Sequence, residues 1–326
     1  MSITRDCAQL LEAGSRYHVH YGDRLANHLP MVLIALDKMG GSQRQLQHAF
    51  DRSAPQLQLR PGSPVHDIDH IADCRNRDDL FPSALRYYEQ QLKQLGIAKC
   101  LQQELPALLP SIATAAFHGL IRTAYGVDAR HLEEIAMGLA YWNLEYHTLT
   151  SSDQKAPVAA GEIIARVAEQ YSDIPVAPGN IADHMQAVTG QPDWMETAIQ
   201  PQQLGLEDIA RVAIRAYLGT NDFTLLHGVT GCHALRLILP YCKNQESALR
   251  YFWQGLVIAY LSTGPKVIQS PDSDETERET ESIEKRQEDT RDRALVSDDD
   301  HVIKLAYSAL EEFHHYGNND YLQIFA

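Results

Sequence analysis

Along most of the chain, apolar residues return every three to four positions. Leu25, Leu29, Val32 and Leu36 keep this spacing, which predicts one buried face of a helix. The same interval recurs in Leu132, Ile135, Ala136 and Leu139, and again in Ile209, Val212, Ala213 and Ala216. Aspartates stand where a helix start needs a capping oxygen: Asp128 precedes Ala-Arg-His-Leu-Glu, and Asp222 precedes Phe-Thr-Leu-Leu. The alternation of β-branched and polar residues that marks a half-buried strand is almost absent. The pattern therefore predicts an all-α protein, a single-domain multi-helix bundle over residues 1–326.

Three stretches interrupt the periodicity. Residues 54–64, rich in Pro and Gln, predict a loop, and residues 174–190, with Pro175, Pro178 and Gly179, predict a connection holding a short helical piece. Residues 270–300 are rich in Asp, Glu, Ser, Thr and Arg and carry few apolar residues. Alternating charges there could support an exposed helix through i,i+4 pairs, but the preferred expectation is a charged, partly flexible linker or surface excursion. Helical periodicity resumes from residue 301 to about 315, so the last helix is expected to pack back into the body.

Charge narrows the partners. The chain has 43 acidic and 28 basic side chains, a net of -15. Such a surface repels nucleic acid and anionic membranes, and neither is expected as a partner. Between Asp272 and Asp300 there are 13 acidic and 5 basic residues, so more than half of the imbalance sits in one short stretch. The cysteines Cys7, Cys74, Cys100, Cys232 and Cys242 are scattered, odd in number and free of CxxC pairs. They indicate neither a disulfide framework nor a thiolate zinc site, and a reducing cytoplasm is the expected compartment. The N-terminal MSITRDCAQLLEAG lacks the apolar core of a signal peptide. The longest apolar run, residues 251–261, is broken by Gln254 and too short to span a bilayer, so it predicts a buried helix.

Histidine is the conspicuous residue, with fifteen in the chain. Imidazole ligates iron, zinc and copper. Four stand out by context. His28 adjoins the apolar stripe of Leu25, Leu29 and Val32. His118 lies between Phe117 and Gly119, and His227 precedes Gly228, so two of the four have a glycine beside them that admits a close approach. His301 opens the last helix after three aspartates, with Lys304 three residues on along the same face. None of these spacings is a metal signature by itself, and on local grounds four satisfied core histidines would serve as well.

Other candidates carry less. His18 and His20 form an HxH pair that would share a face on a strand and diverge on a helix, and they would flank a site entrance. His66 and His70, around an HD dipeptide, follow a Pro/Gly-rich loop and predict a surface feature. His233 lies six residues beyond His227 and would point away from it. His314 and His315 suit the C-terminal end of a helix. The chain has no HExxH, GxSxG, P-loop or GxGxxG, so four common enzyme classes lose their sequence handle.

Four blocks together resemble the questin oxidase-like family: ANHLPMVLIALDKMG; FHGLIRTAYGV with AMGLAYW after it; DFTLLHGVTGCHALRLILP; and DDDHVIKLAYSALEE. They occur in order from near the N-terminus to the last helix. The resemblance implies an all-helical oxygenase that opens anthraquinone-type rings, with non-haem iron held by four histidines and a carboxylated lysine. Carried over by motif, the ligands are His28, His118, His227, His301 and Lys304, while the catalytic residues stay unassigned. Tyr21, Tyr125 and Trp142, near these histidines in sequence, are candidates for an aromatic substrate pocket, although ordinary core packing would equally account for them.

Three readings follow from the resemblance. The first is an iron-dependent oxygenase that takes dioxygen and a polycyclic aromatic or quinone, by ring cleavage or Baeyer-Villiger-type oxygen insertion. The second is a metal-independent oxidase drawing electrons from NADPH, which would bind transiently because no dinucleotide fingerprint is present. The third is a helical binding protein that keeps the fold without catalysis.

Overall fold

The computed structural model describes residues 2–149, 154–174, 176–191, 193–264 and 282–325. Pro175 and residues 270–281 of the acidic stretch lie outside the described residues. The amphipathic segments fold into α1 (Arg5–Gly14), α2 (Leu29–Lys38), α3 (Gln43–Ser53), α4 (Phe81–Leu108), α5 (His118–Ala129) and α6 (Leu132–Leu144). The second half adds α7 (Ala160–Gln170), α8 (Ile181–Thr189), α9 (Leu206–Thr220), α10 (Phe223–Ile238), α11 (Gln245–Ser262), α12 (Ile283–Leu295) and α13 (Asp300–Tyr316). Among the described residues, extended structure is confined to two-residue pairs and an isolated bridge between Tyr17 and Leu59. One pair is β1 (His20–Tyr21) antiparallel to β2 (Leu25–Ala26), and the other is β3 (Lys155–Ala156) parallel to β4 (Gln200–Pro201). The expected all-α class is what the chain forms, and no described helix is long and apolar enough to cross a membrane.

At the centre stands α10, buried on every side from Thr224 through Leu235. A helix apolar all round needs neighbours all round, and α5, α9, α11 and α13 supply them. The pairing of α5 with α6 is unusually close, because glycines line the seam. A Cβ on Gly138 would lie 2.5 Å from the Thr123 nitrogen, and one on Gly119 would lie 2.7 Å from the Trp142 Cα. Across the same seam Arg122 Nη2 meets Glu134 Oε2 at 3.0 Å, both side chains buried. Truncating either partner would strand the other charge, at a cost of about 3–5 kcal/mol. The seam fixes the start of α5, which carries His118.

Several local expectations need correction. Leu25 does not share a helix with Leu29, Val32 and Leu36; it lies in β2 and is 55% exposed. The helix begins later because Pro30 occupies its first turn and Asn27 Oδ1 accepts the Leu29 N–H at 3.1 Å. Asp222 caps α10 as expected, accepting from the Thr224 N–H at 2.7 Å. Asp128 is not a cap. It lies inside α5, and His131 Nδ1 instead accepts from the Glu134 N–H at 3.3 Å to start α6. Asp128 is held by Lys38 Nζ at 3.0 Å and the Tyr307 hydroxyl at 2.5 Å, tying α2, α5 and α13 together. The five cysteines are free and buried.

The described part of the acidic stretch begins with a helix. From Ser282, which caps it, α12 runs to Leu295 with Thr290 and Ala294 buried against its neighbours. Its Lys285–Asp289 pair is of the i,i+4 kind, and Gln45 Nε2 holds the Leu295 carbonyl at 2.7 Å. Over these residues the stretch forms a surface helix packed beside α13. Few apolar residues sufficed, because a peripheral helix needs only a narrow buried edge.

Candidate metal centre

Four helix beginnings converge on one point. His28 is the N-cap of α2, His118 the first residue of α5, His301 the second of α13, and His227 stands in the second turn of α10. His28, His227 and His301 each place a ring nitrogen within 4.8 Å of the others. His118 completes the group, with its Nε2 2.8 Å from His28 Nε2 and its ring 4.8 Å from that of His227. Phe223 covers one side, its ring 4.5 Å from His301 and 5.0 Å from His227.

The outer nitrogens are engaged or face an acceptor, which decides what the inner ones can do. His118 Nδ1 donates to the Ala115 carbonyl at 2.5 Å, and His227 Nδ1 donates to the Phe223 carbonyl at 2.9 Å. His301 Nδ1 faces Asp299 at 3.4 Å, and His28 Nδ1 faces Asp300 at 3.8 Å. A proton on Nδ1 leaves Nε2 as a lone pair, the tautomer of a metal ligand oriented by an outer acceptor. The Nε2 atoms of His227 and His301 are buried with nothing to bond. A buried polar atom without a partner is uncommon and costs stability unless something fills the gap.

Local backbone strain positions His118. Ala115, Ala116 and Phe117 all adopt left-handed conformations, with φ of 50°, 52° and 65°. For residues bearing a Cβ this costs about 1–2 kcal/mol each. The turn swings the Ala115 carbonyl beneath His118 and brings Ala115 and Ala116 to the cavity wall. No residue in this run is Gly or Asn, so the turn carries no mark in the sequence.

Electrostatics keep the imidazoles neutral. Burial, reinforced by charge on Lys304, pushes His227 down to about 3 and His301 to about 2. Burial also holds His28 and His118 well below the usual histidine range. Lys304 acts on all four rings and is 1% exposed. Its own ammonium is lowered to about 7 by burial, against the opposing pull of Asp300 and Asp299. Helix N-termini carry partial positive charge. Four of them around the centre disfavour imidazolium and favour an anionic group among the neutral nitrogens.

The four histidines line a cavity of about 1160 Å³. Tyr21 is on its wall, as are Glu145, Tyr141 and the start of α8. Leu25 and Phe223, both more than half exposed, are among its lining residues. Tyr125 and Trp142 are not. Tyr125 is buried with its hydroxyl 3.2 Å from Ser308 Oγ and 3.4 Å from the Lys304 carbonyl, and Trp142 Nε1 donates to the Ser111 carbonyl at 3.2 Å. They are core aromatics; proximity in sequence misplaced them because on a helix it does not fix direction. Lys304 is likewise absent from the lining, behind the histidines.

Several other histidines lie as their contexts suggested, whereas His18 and His20, expected to flank the entrance, are buried and do not line the cavity. His66 and His70 are exposed, and His233 turns away from His227 to Glu312 Oε1 at 2.7 Å. His314, in the last turn of α13, meets Gln287 Oε1 at 2.8 Å. Sequence reasoning missed Asp299 and Asp300 as the groups behind the histidines, although the run of three aspartates before His301 marked the place. It also missed Arg52 on α3, which pairs with Asp298 and Asp300 across 246 and 248 positions of chain.

A family model described as questin oxidase-like matches residues 25–309 of the chain, a span that takes in all four histidines and Lys304. The chain belongs to the questin oxidase-like family. Its family character points to an oxidoreductase of the oxidase or oxygenase kind. Among curated proteins, none matches this questin oxidase-like chain.

Proposed function

We propose that this protein is a non-haem iron-dependent oxygenase acting on a polycyclic aromatic or quinone. The observation that carries this reading is the set of buried imidazole nitrogens turned inward, two of them without any partner, at the base of a large cavity. His28, His118, His227 and His301 would hold the metal through nitrogen, a donor type suited to iron and other first-row ions. Iron(II) bound there would supply dioxygen activation next to an electron-rich ring.

Lys304 would complete the ligands as a carbamate. Its neutral amine adds to carbon dioxide, forming one C–N bond and releasing one proton, and the product carries an anionic oxygen. Burial that lowers Lys304 to about 7 makes the free amine available near neutral pH. The ring of helix N-termini then favours the anion once formed.

The cavity walls would bind and orient the substrate. Leu29, Ala115, Ala116 and Phe223 offer apolar contact to a flat ring system beside the histidines. Tyr21 and Glu145 offer polar partners for ring oxygens, the carboxylate accepting from a phenolic O–H. NADPH is the candidate electron donor if one oxygen atom is inserted and the other reduced to water.

The test is anaerobic reconstitution with iron(II), metal analysis, and oxygen uptake with hydroxyanthraquinones, with and without NADPH. One iron per chain at this centre and substrate-dependent oxygen consumption support the reading. If the wild-type chain takes up no iron, or His118→Ala holds as much, the reading fails. Oxygen uptake that needs NADPH but not metal would favour the metal-independent oxidase instead.

A further inference from the structure

His18 and His20 take no part in the centre just described, yet both are buried, 7% and 6% exposed. His20 lies in β1, and the extended backbone puts residues two apart on one face. The two rings meet edge to face, centroids 5.4 Å apart. Asp78, in the turn before α4, joins them: His18, His20 and Asp78 each place one donor atom within 4.8 Å of the others.

A plain ion-pair network explains only half of this. His20 is satisfied, its Nε2 3.0 Å from Glu145 Oε1. His18 is not. Its Nε2 reaches Asp78 Oδ1 only at 3.5 Å, a carboxylate 59% exposed to water, and its Nδ1 is buried with no partner. That one long contact to a solvent-exposed carboxylate leaves room for an ion between His18 Nε2 and Asp78. The surrounding chain is tied down: the His18 N–H donates to the Gln58 carbonyl at 2.7 Å, and Asn27 Nδ2 holds the His18 carbonyl at 2.9 Å. The ring itself packs edge-on against Phe81, centroids 4.8 Å apart, which restricts its rotation.

We propose that His18, His20 and Asp78 form a second metal site, for a divalent first-row transition ion, separate from the four-histidine centre. Two imidazoles and one carboxylate with open positions are a donor set such ions accept. Ligand bonds of about 2.0–2.2 Å put tetrahedral donors roughly 3.3–3.6 Å apart around one ion. The 3.5 Å between His18 and Asp78 already fits, and the exposed Asp78 side chain can swing to close the remaining gap. Glu145 holds Nε2 of His20, and an ion on Nδ1 would find that imidazole oriented by an outer carboxylate. Since Glu145 and Tyr141 also line the large cavity, and Tyr141 packs 5.1 Å from the His20 ring, the second site lies behind that cavity's wall.

Cobalt(II) is the probe, because its visible absorption reports coordination. Metal-stripped full-length chain is titrated with cobalt(II) alone, and bound metal is counted after equilibrium dialysis. The wild-type chain is expected to take up two equivalents. His118→Ala should keep the second equivalent, while Asp78→Asn and His18→Ala should each weaken it at least tenfold and leave the first intact. Asp78 is half exposed, so its substitution tests the site even if His18→Ala does not fold. A wild-type chain that binds one equivalent, lost in His118→Ala and unaffected in Asp78→Asn, overturns the second site and leaves the proposed function standing. One equivalent lost only in Asp78→Asn does the reverse.

Discussion

The imidazoles of His28 and His118 lie nearly parallel, 15° apart, with their Nε2 atoms 2.8 Å from each other. His118 Nδ1 is committed to the Ala115 carbonyl, so its Nε2 is a lone pair. Two lone pairs at that distance repel unless a proton or a cation lies between them. In the metal-free protein the proton is expected on His28 Nε2. Metal binding should displace it and move His28 to the Nδ1–H tautomer, facing Asp300. Long-range proton–nitrogen NMR on histidine-labelled protein reads this directly. A His28 signal that stays the same on titration with zinc(II) would count against a shared metal.

His118→Ala removes the ligand set most securely by its backbone, because the left-handed turn at residues 115–117 exists around it. The expected result is at least a hundredfold weaker metal uptake, measured by dialysis, with the helical circular dichroism unchanged. Uptake equal to wild type would remove the centre from consideration.

Stability of the metal-free protein should fall in acid. His227 titrates at about 3 in the fold against an ordinary 6.5, and His301 at about 2. Below pH 6.5 the unfolded chain therefore binds protons that the native chain refuses, and stability declines as pH drops from 6.5 toward 3. Urea midpoints from pH 8 to pH 4 measure the slope. A bound metal competes with protons for the same nitrogens, so metal-loaded protein should show weakening uptake over the same range.

Lys304→Met separates a stability cost from a ligand role. Lys304 is lowered to about 7 from 10.5, so wild-type stability is lost as pH falls from 10.5 to 7. The metal-free variant should exceed wild type at pH 7 by roughly 1–4 kcal/mol. That gain should disappear above pH 10.5, while metal uptake weakens at every pH. Chemical denaturation at pH 7 and 10.5 checks the sign. A variant less stable than wild type at pH 7 would show that the ammonium is paid for by contacts in the fold.

The α5–α6 seam gives a contrast between two glycines. At Gly138 a Cβ would meet the Thr123 backbone at 2.5–2.6 Å, whereas at Gly161 nothing lies within 4 Å. Gly138→Ala should destabilise by roughly 1–3 kcal/mol through overpacking. Gly161→Ala, in the exposed first turn of α7, should stabilise by up to about 1 kcal/mol through helix propensity. Urea midpoints of equal accuracy distinguish the two, and equal effects would contradict the packing argument.

Periodicity alone determined that the chain is helical and which face of α9 is buried, because the 3.6-residue repeat is a local property. The resemblance, carried by four blocks in order, singled out the same four histidines that the fold brings together. Other features belonged to distance and direction. Leu25 kept the helical interval yet lies in a strand, since Pro30 and Asn27 delay the helix start. Asp128 looked like a cap and is a tie between three helices. Tyr125 and Trp142 sit near the histidines in sequence but point into the core. His18, His20 and Asp78, sixty residues apart, meet only once α4 has packed against the β1–β2 turn. What tertiary structure alone decided was which nitrogens are left without partners, because an unmet hydrogen bond is defined by every group that comes near it, and those groups arrive from distant parts of the chain.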